Sequence, residues 1–95
     1  MRPRLDPSKF PREAAMWHGF SSVNNLRVLY ALDNRELCVN ELVEILGMSQ
    51  PLVSQHLHKL VFSHLVTPRR SRHNIYYSIS DPKLVLLLRA ALEMY

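Results

Sequence analysis

Apolar positions recur at helical spacing through most of the chain and change to a strand-like pattern once. Between about Pro11 and Gly19, Ala14, Ala15, Met16 and Trp17, flanked by Phe10 and Phe20, predict a first helix with more apolar surface than a lone surface helix carries. Pro11 suits its opening turn, where the N–H that proline lacks would be unpaired anyway. Ser21 or Ser22 can cap a second helix through Leu32, with Val23, Leu26, Val28, Leu29 and Ala31 as its inward stripe, and Asp33-Asn34 breaks it. A third helix from Val39 to Leu46 turns Leu42, Val43, Ile45 and Leu46 inward, and Gly47 is placed to take a left-handed stop. Ser49 then opens a fourth helix, with Pro51 in its first turn. Its Val53, Leu57 and Leu60 share one face, and Ser54, Gln55, His58 and Lys59 cluster on the other. Leu46-Gly47-Met48-Ser49 is thus a helix-turn-helix joint.

After Leu65-Val66-Thr67 the pattern becomes strand-like, and Ile75-Tyr-Tyr-Ser-Ile79 is rich in β-branched and aromatic types. Pro68-Arg-Arg-Ser-Arg-His-Asn74 reads as the hairpin tip between these strands, carrying Arg69, Arg70 and Arg72. Asp81-Pro82 supplies N-cap and N1 of a last helix to about Tyr95, which is apolar nearly all round. The order α-α-α-α-β-β-α predicts a mainly α fold with a two-stranded β-wing, a winged helix-turn-helix. Residues 1–10, basic and interrupted by prolines, read as an extended arm in front of a single domain at 11–95.

Composition narrows the picture. A domain of 95 residues buries only about 60–65% of the surface its unfolded chain exposes. With 47% hydrophobic residues, some apolar surface is expected to serve another chain. Met16, Trp17, Phe20, Leu84, Leu87, Leu88, Ala91 and Leu92, on the first and last helices, are the expected homodimer interface. Twelve Lys and Arg against eight Asp and Glu give a net charge of +4, which favours a polyanionic partner. The one cysteine excludes an internal disulfide framework and fits a reducing compartment. No apolar run at the N-terminus resembles a signal peptide, and Leu84–Leu88 is far short of a membrane span, so a cytoplasmic protein is expected.

Candidate chemistry lies on the fourth helix and the hairpin. Ser49 caps the helix. Gln50 has the amide for bidentate bonding to adenine, and Ser54 can serve a base or a phosphate. Gln55 and His58 share the outward face, Lys59 suits a phosphate, and His56 lies nearer the packed side. Arg69, Arg70 and Arg72 suit DNA backbone or minor-groove contact. Cys38, three residues before Glu41, reads as a helix-start residue with the option of redox reactivity. His18, His56, His58, His64 and His73 form no recognisable ligand spacing, and with two glycines there is no phosphate-cradling loop. No cofactor, no metal and no enzymatic activity are expected.

Glu36-Leu-Cys-Val-Asn-Glu-Leu42, Gly47-Met-Ser-Gln-Pro-Leu-Val-Ser-Gln-His-Leu-His-Lys-Leu60 and Ile75-Tyr-Tyr-Ser-Ile79 together resemble the ArsR/SmtB family of small prokaryotic repressors. The likeness runs from about Trp17 to Tyr95. It implies a homodimer joined by the first and last helices, a recognition helix at Gln50–Val61, and repression that an inducer relieves; the two-fold symmetry of such a dimer then calls for an inverted-repeat operator in double-stranded DNA. It also implies association with the prokaryotic nucleoid when bound to DNA. Two departures stand out. Arsenic- or lead-sensing members carry Cys-Val-Cys where this chain has Cys38-Val39-Asn40, and zinc- or nickel-sensing members carry an Asp-x-His start and a later histidine pair where Asp81-Pro82-Lys83 leads a helix without histidine. A two-cysteine switch cannot form within a chain holding one cysteine. The expectation is a DNA-binding repressor without the usual metal sites. The alternatives are a single-thiol redox-responsive or atypical metal-responsive repressor, and a winged-helix protein-interaction module.

Overall fold

The computed structural model describes Phe20 and residues 22–94. The expected arm, the first helix, and Met16 and Trp17 of the expected interface lie outside the described residues. Helix α1 spans Val23–Ala31. Ser22 caps it, the hydroxyl accepting from the Asn25 N–H at 3.3 Å. After Leu32 the chain reverses at Asn34, whose φ of 55° is left-handed, a conformation asparagine tolerates better than most residues.

Strand β1, Leu37–Cys38, runs directly into α2, Val39–Leu46. The Glu41 carboxylate reaches back to the Cys38 N–H at 3.0 Å, forming the acidic half of a capping box. Gly47 ends α2 at φ 64°, its N–H donating to Val43 O at 2.9 Å. Helix α3 follows at Gln50–Phe62, with Ser49 Oγ accepting from the Leu52 N–H at 3.4 Å and Pro51 in the first turn. Arg27 of α1 donates to the Leu46 carbonyl, tying the first described helix to the turn of the helix-turn-helix.

Helix α3 ends on His64, again left-handed at φ 61°, and the Leu65 N–H closes back on Leu60 O at 3.0 Å. This is Schellman geometry made by a histidine where glycine is usual. Strands β2, Val66–Ser71, and β3, Asn74–Ile79, form a hairpin with a turn of Arg72 and His73. Two expectations change here. The sheet has a third strand, in the order β1-β3-β2, because Leu37 and Cys38 pair with Tyr77 and Tyr76. Arg69 and Arg70 belong to β2 rather than to the tip, since the ladder continues to Ser71↔Asn74. Pro68 fits because β2 is an edge strand, where a missing donor is tolerated.

The core is built from Val28, Leu29 and Leu32 of α1 and its cap, Leu42 of α2, and Val53, Leu57 and Leu60 of α3, all fully buried. Burial of an aliphatic side chain of this kind contributes roughly 1.5–3 kcal/mol. Leu37, Val66 and Tyr77 close the sheet side. Two residues assigned inward are not: Val23 is 75% exposed and Ile45 is 49% exposed, each being at an end of its helix, beyond the reach of the neighbouring elements.

Helix α4, Pro82–Glu93, is capped by Asp81, whose carboxylate accepts from the Lys83 N–H at 2.9 Å. Leu84, Val85 and Leu88 are buried against the domain. The Tyr30 hydroxyl donates to Leu88 O at 3.0 Å, and Arg89 grips Asp33 with a shortest contact of 2.9 Å. None of the described helices is long and apolar enough to cross a membrane.

Candidate nucleic-acid interface

The outward side of α3 is polar. Ser49, Gln50, Gln55, His58 and Lys59 are exposed and Ser54 is half-buried. At roughly 100° per residue, Gln50, Ser54 and His58 form one row, and Gln55 and Lys59 a second beside it, opposite Val53, Leu57 and Leu60. Ser49 uses its oxygen to accept the cap hydrogen bond, which leaves its hydroxyl proton available to a phosphate oxygen. The exposed amides of Gln50 and Gln55 can each donate and accept at a base edge.

His56 is set apart from this face. It is buried, and its ring Nδ1 meets the buried Asn25 Oδ1 of α1. Since an amide oxygen only accepts, the neutral imidazole carries its proton on Nδ1. Burial, with Lys59 nearby, holds the His56 pKa below the ordinary imidazole value. Asn25 is a structural polar residue that the apolar pattern of α1 concealed, because its partner lies 31 positions away.

The wing stands close to the start of α3. Gln50 of α3, Asn40 of α2 and His73, Asn74 and Ile75 of the wing line a common cleft of about 220 Å³, with Cys38 at its wall. The hairpin turn and the first turn of α3 therefore open onto the same space. Arg72, left-handed at φ 53°, and Arg70 are exposed, and neither makes an ion pair among the described residues. Arg69 is differently engaged. Its Nε and Nη2 donate to Glu36 at 2.8 and 2.9 Å, and its Cζ lies 5.3 Å from the centroid of the Tyr76 ring. The hydrogen bond from Arg69 keeps the Glu36 carboxyl below its usual range. In the sequence Glu36 figures only as the first residue of the Glu36–Leu42 segment, with no role assigned to its side chain.

The far side of the domain has opposite chemistry. Phe20, Leu26, Tyr30, Leu87, Leu92 and Met94 line an apolar groove of about 530 Å³. Of the residues expected at a dimer interface, Leu84 and Leu88 are buried in the chain's own core, because the inner stripe of α4 packs on the domain. Leu87 and Leu92 are exposed, Ala91 and Phe20 are half-buried along the groove, and Leu86, 65% exposed, joins them as an outward leucine. Among the described residues no three of His, Cys, Asp and Glu converge in a way that could hold a metal ion.

The chain is 36% identical over 99 aligned positions to the nodulation protein NolR of Rhizobium meliloti, an alignment covering all of this chain and 80% of that protein. It belongs to the ArsR/SmtB family. Residues 22–67 match the family model described as bacterial regulatory protein, arsR family. The crystal structure of NolR from Sinorhizobium fredii superposes with a TM-score of 0.80 at 35% identity, covering all of this chain and 97% of that one. HlyU from Vibrio cholerae has the same fold, with a TM-score of 0.86 at 24% identity over 95% of this chain and 98% of that one. As an ArsR/SmtB member the chain is a winged helix-turn-helix transcriptional repressor and a DNA-binding protein, and its relatives are regulators rather than enzymes.

Proposed function

We propose that the chain acts as a homodimer on an inverted-repeat operator in double-stranded DNA. In each protomer α3 enters the major groove, with Ser49, Gln50, Ser54, Gln55, His58 and Lys59 toward bases and phosphates, while Arg70 and Arg72 of the wing meet the backbone. The observation that carries this reading is the division of the surface. A polar α3 face and an arginine-bearing hairpin share one cleft, and an apolar groove runs along α4. A second copy laid on that groove would cover Leu87 and Leu92 and present two recognition helices about one DNA turn apart. The repressor works in the cytoplasm, on the nucleoid.

The familiar metal switches are not part of this reading. Cys38 is followed by Val39 and Asn40, and Lys83–Tyr95 has no imidazole. Repression is then set by the protein's own concentration, by a partner protein, or by modification of Cys38. The half-buried position of Cys38 at the wall of the Gln50–His73 cleft supports the last route, since an adduct there would occupy space beside the reading helix. A protein-interaction module would call for a neutral or acidic wing and an apolar α3 face.

The test is a mobility-shift titration on DNA from upstream of the protein's own gene, with scrambled duplex as competitor, and sedimentation of the free protein. A preference of at least about a thousandfold for one inverted repeat, with a dimer at micromolar concentration, is the expected result. Equal affinity for all duplexes, or a monomer, overturns it.

A further inference from the structure

We propose that Arg69 and Glu36 position the wing and do not contact DNA, so that Arg70 and Arg72 alone supply the wing's phosphate contacts. The inference rests on the DNA-binding reading above and assigns the three arginines different work.

Strand β1 pairs only with Tyr76 and Tyr77, so the hairpin beyond that point is a two-stranded ribbon without a third strand beside it. Two-stranded ribbons twist more strongly than wider sheets and are marginally stable alone. The direction in which this ribbon points therefore depends on how its base is held. Arg69 is opposite Tyr76 in the ladder, and Tyr76 is opposite Cys38, so the three form one row across the sheet at the base of the ribbon. Glu36 lies just before β1, and its two-pronged bond to Arg69 joins the outer strand β2 to the approach to β1 across the Tyr76 ring. A planar guanidinium held by two parallel bonds and an aromatic face is fixed in direction as well as in distance.

Alternation along β2 separates Arg69 from its neighbour. Arg69 shares the outer face with Tyr76. Arg70 is opposite Ile75 and falls on the face of Ile75 and Tyr77, the residues that line the cleft with Gln50. Arg70 is thus on the recognition-helix side and Arg69 on the other. Charge agrees with geometry. Glu36 already neutralises Arg69 and occupies its Nε and Nη2 donors, so Arg69 has less charge to offer a phosphate than Arg70 and Arg72, which have no ion pair among the described residues.

The two roles give opposite signs for one substitution. If the wing acted only through its charge, Glu36→Gln would remove a negative group beside the DNA and tighten binding. If Glu36 holds the wing, the same change weakens binding. The experiment is fluorescence anisotropy on the preferred duplex over a series of salt concentrations, using Glu36→Gln, Arg69→Gln, Arg70→Gln, Arg72→Gln and the exchange Glu36→Arg/Arg69→Glu, each first shown to be folded by circular dichroism. Expected are a loss of roughly two- to fivefold for Glu36→Gln and Arg69→Gln, with the slope of log K against log salt unchanged. The exchange variant recovers affinity, while Arg70→Gln and Arg72→Gln each reduce the slope by about one. Tighter binding by Glu36→Gln, or a slope change for Arg69→Gln equal to that for Arg70→Gln, overturns the proposal and leaves the DNA-binding reading intact. Failure of the unaltered protein to bind any duplex overturns both.

Discussion

His56, in the middle of α3, donates from its ring to the amide oxygen of Asn25 on α1, and both side chains are buried. Helix α3 is therefore fixed to the domain by a polar bond as well as by Val53, Leu57 and Leu60. Losing Asn25 to alanine leaves a buried N–H without a partner, at a cost of about 1–3 kcal/mol. Asn25→Ala is expected to lower the unfolding free energy from urea titration by that amount, and Asn25→Asp to be tolerated better at low pH, where the imidazole can be charged.

The same pair sets a pH window. The His56 pKa is lowered in the fold by burial and by Lys59, so the unfolded chain takes up a proton at higher pH than the folded one does. Its contribution to stability is fully present above the ordinary histidine value of 6.5 and declines as pH falls through that value toward the folded pKa. Urea unfolding at pH 7.5 and 5.5 should show a loss in the unaltered protein that is smaller in His56→Gln. An equal loss in both would remove His56 as the source.

Two turns differ in what they ask of the residue that makes them. At Gly47, φ 64°, an added Cβ would meet nothing within 4 Å, so Gly47→Ala is penalised by backbone strain alone. A loss of about 1–2 kcal/mol is expected. At His64, φ 61°, a side chain already bears that strain, and His64→Gly should stabilise the domain by about 1 kcal/mol or less. Thermal or urea unfolding of the two variants, which should move in opposite directions, checks both.

On DNA, Gln50→Ala or Ser54→Ala is expected to narrow the gap between operator and random duplex, each lost base contact being worth on the order of 1–3 kcal/mol. Arg70→Ala and Arg72→Ala should weaken all duplexes alike. Competition titrations with specific and scrambled DNA separate the two patterns, and an unaltered specificity ratio in Gln50→Ala would exclude that residue from base reading.

The inner and outer leucines of α4 provide a test of association. Leu92→Glu places a charge on an exposed position of the groove, and is expected to yield a folded monomer. Leu88→Glu buries a charge in the chain's own core and should unfold it. Sedimentation and circular dichroism together distinguish these outcomes. A Leu92→Glu dimer as tight as the parent would exclude the groove as the interface.

Titration of Zn(II), Ni(II) or As(III) into the operator complex is expected to leave the DNA bound. A closed site needs three or four ligands at about 2.0–2.3 Å, and neither the start of α2 nor α4 offers such a set. Stoichiometric release that is abolished by Cys38→Ser or by a histidine substitution would reverse this expectation.

Features that depend on local chemistry were legible in the sequence. Ser22, Ser49 and Asp81-Pro82 start helices where capping chemistry predicts, and Gly47 stops one. What could not be read depends on distant partners. Strand β1 is two residues long and exists because β3 lies beside it. Asn25 looks like an interruption of an apolar stripe until His56 is packed against it. The role of Arg69 follows from Glu36, 33 positions earlier. In α4, with apolar residues on every side, periodicity could not separate Leu88 from Leu92. The left-handed His64 turn carried no glycine to announce it.

Among the described residues the outer edge of β2 has no strand beside it, and an open edge is a template on which another chain can add. Pro68 removes one donor from that strand, and Arg69 and Arg70 follow it directly. Two wings meeting edge to edge would bring like charges together, which opposes polymerisation through their sheets. Arg70, proposed above to meet phosphate and without an ion pair among the described residues, would thus also protect the protein when no DNA is present. Salt high enough to strip the protein from its operator weakens that repulsion too, which makes low-salt, DNA-free solutions the gentler condition for storing it.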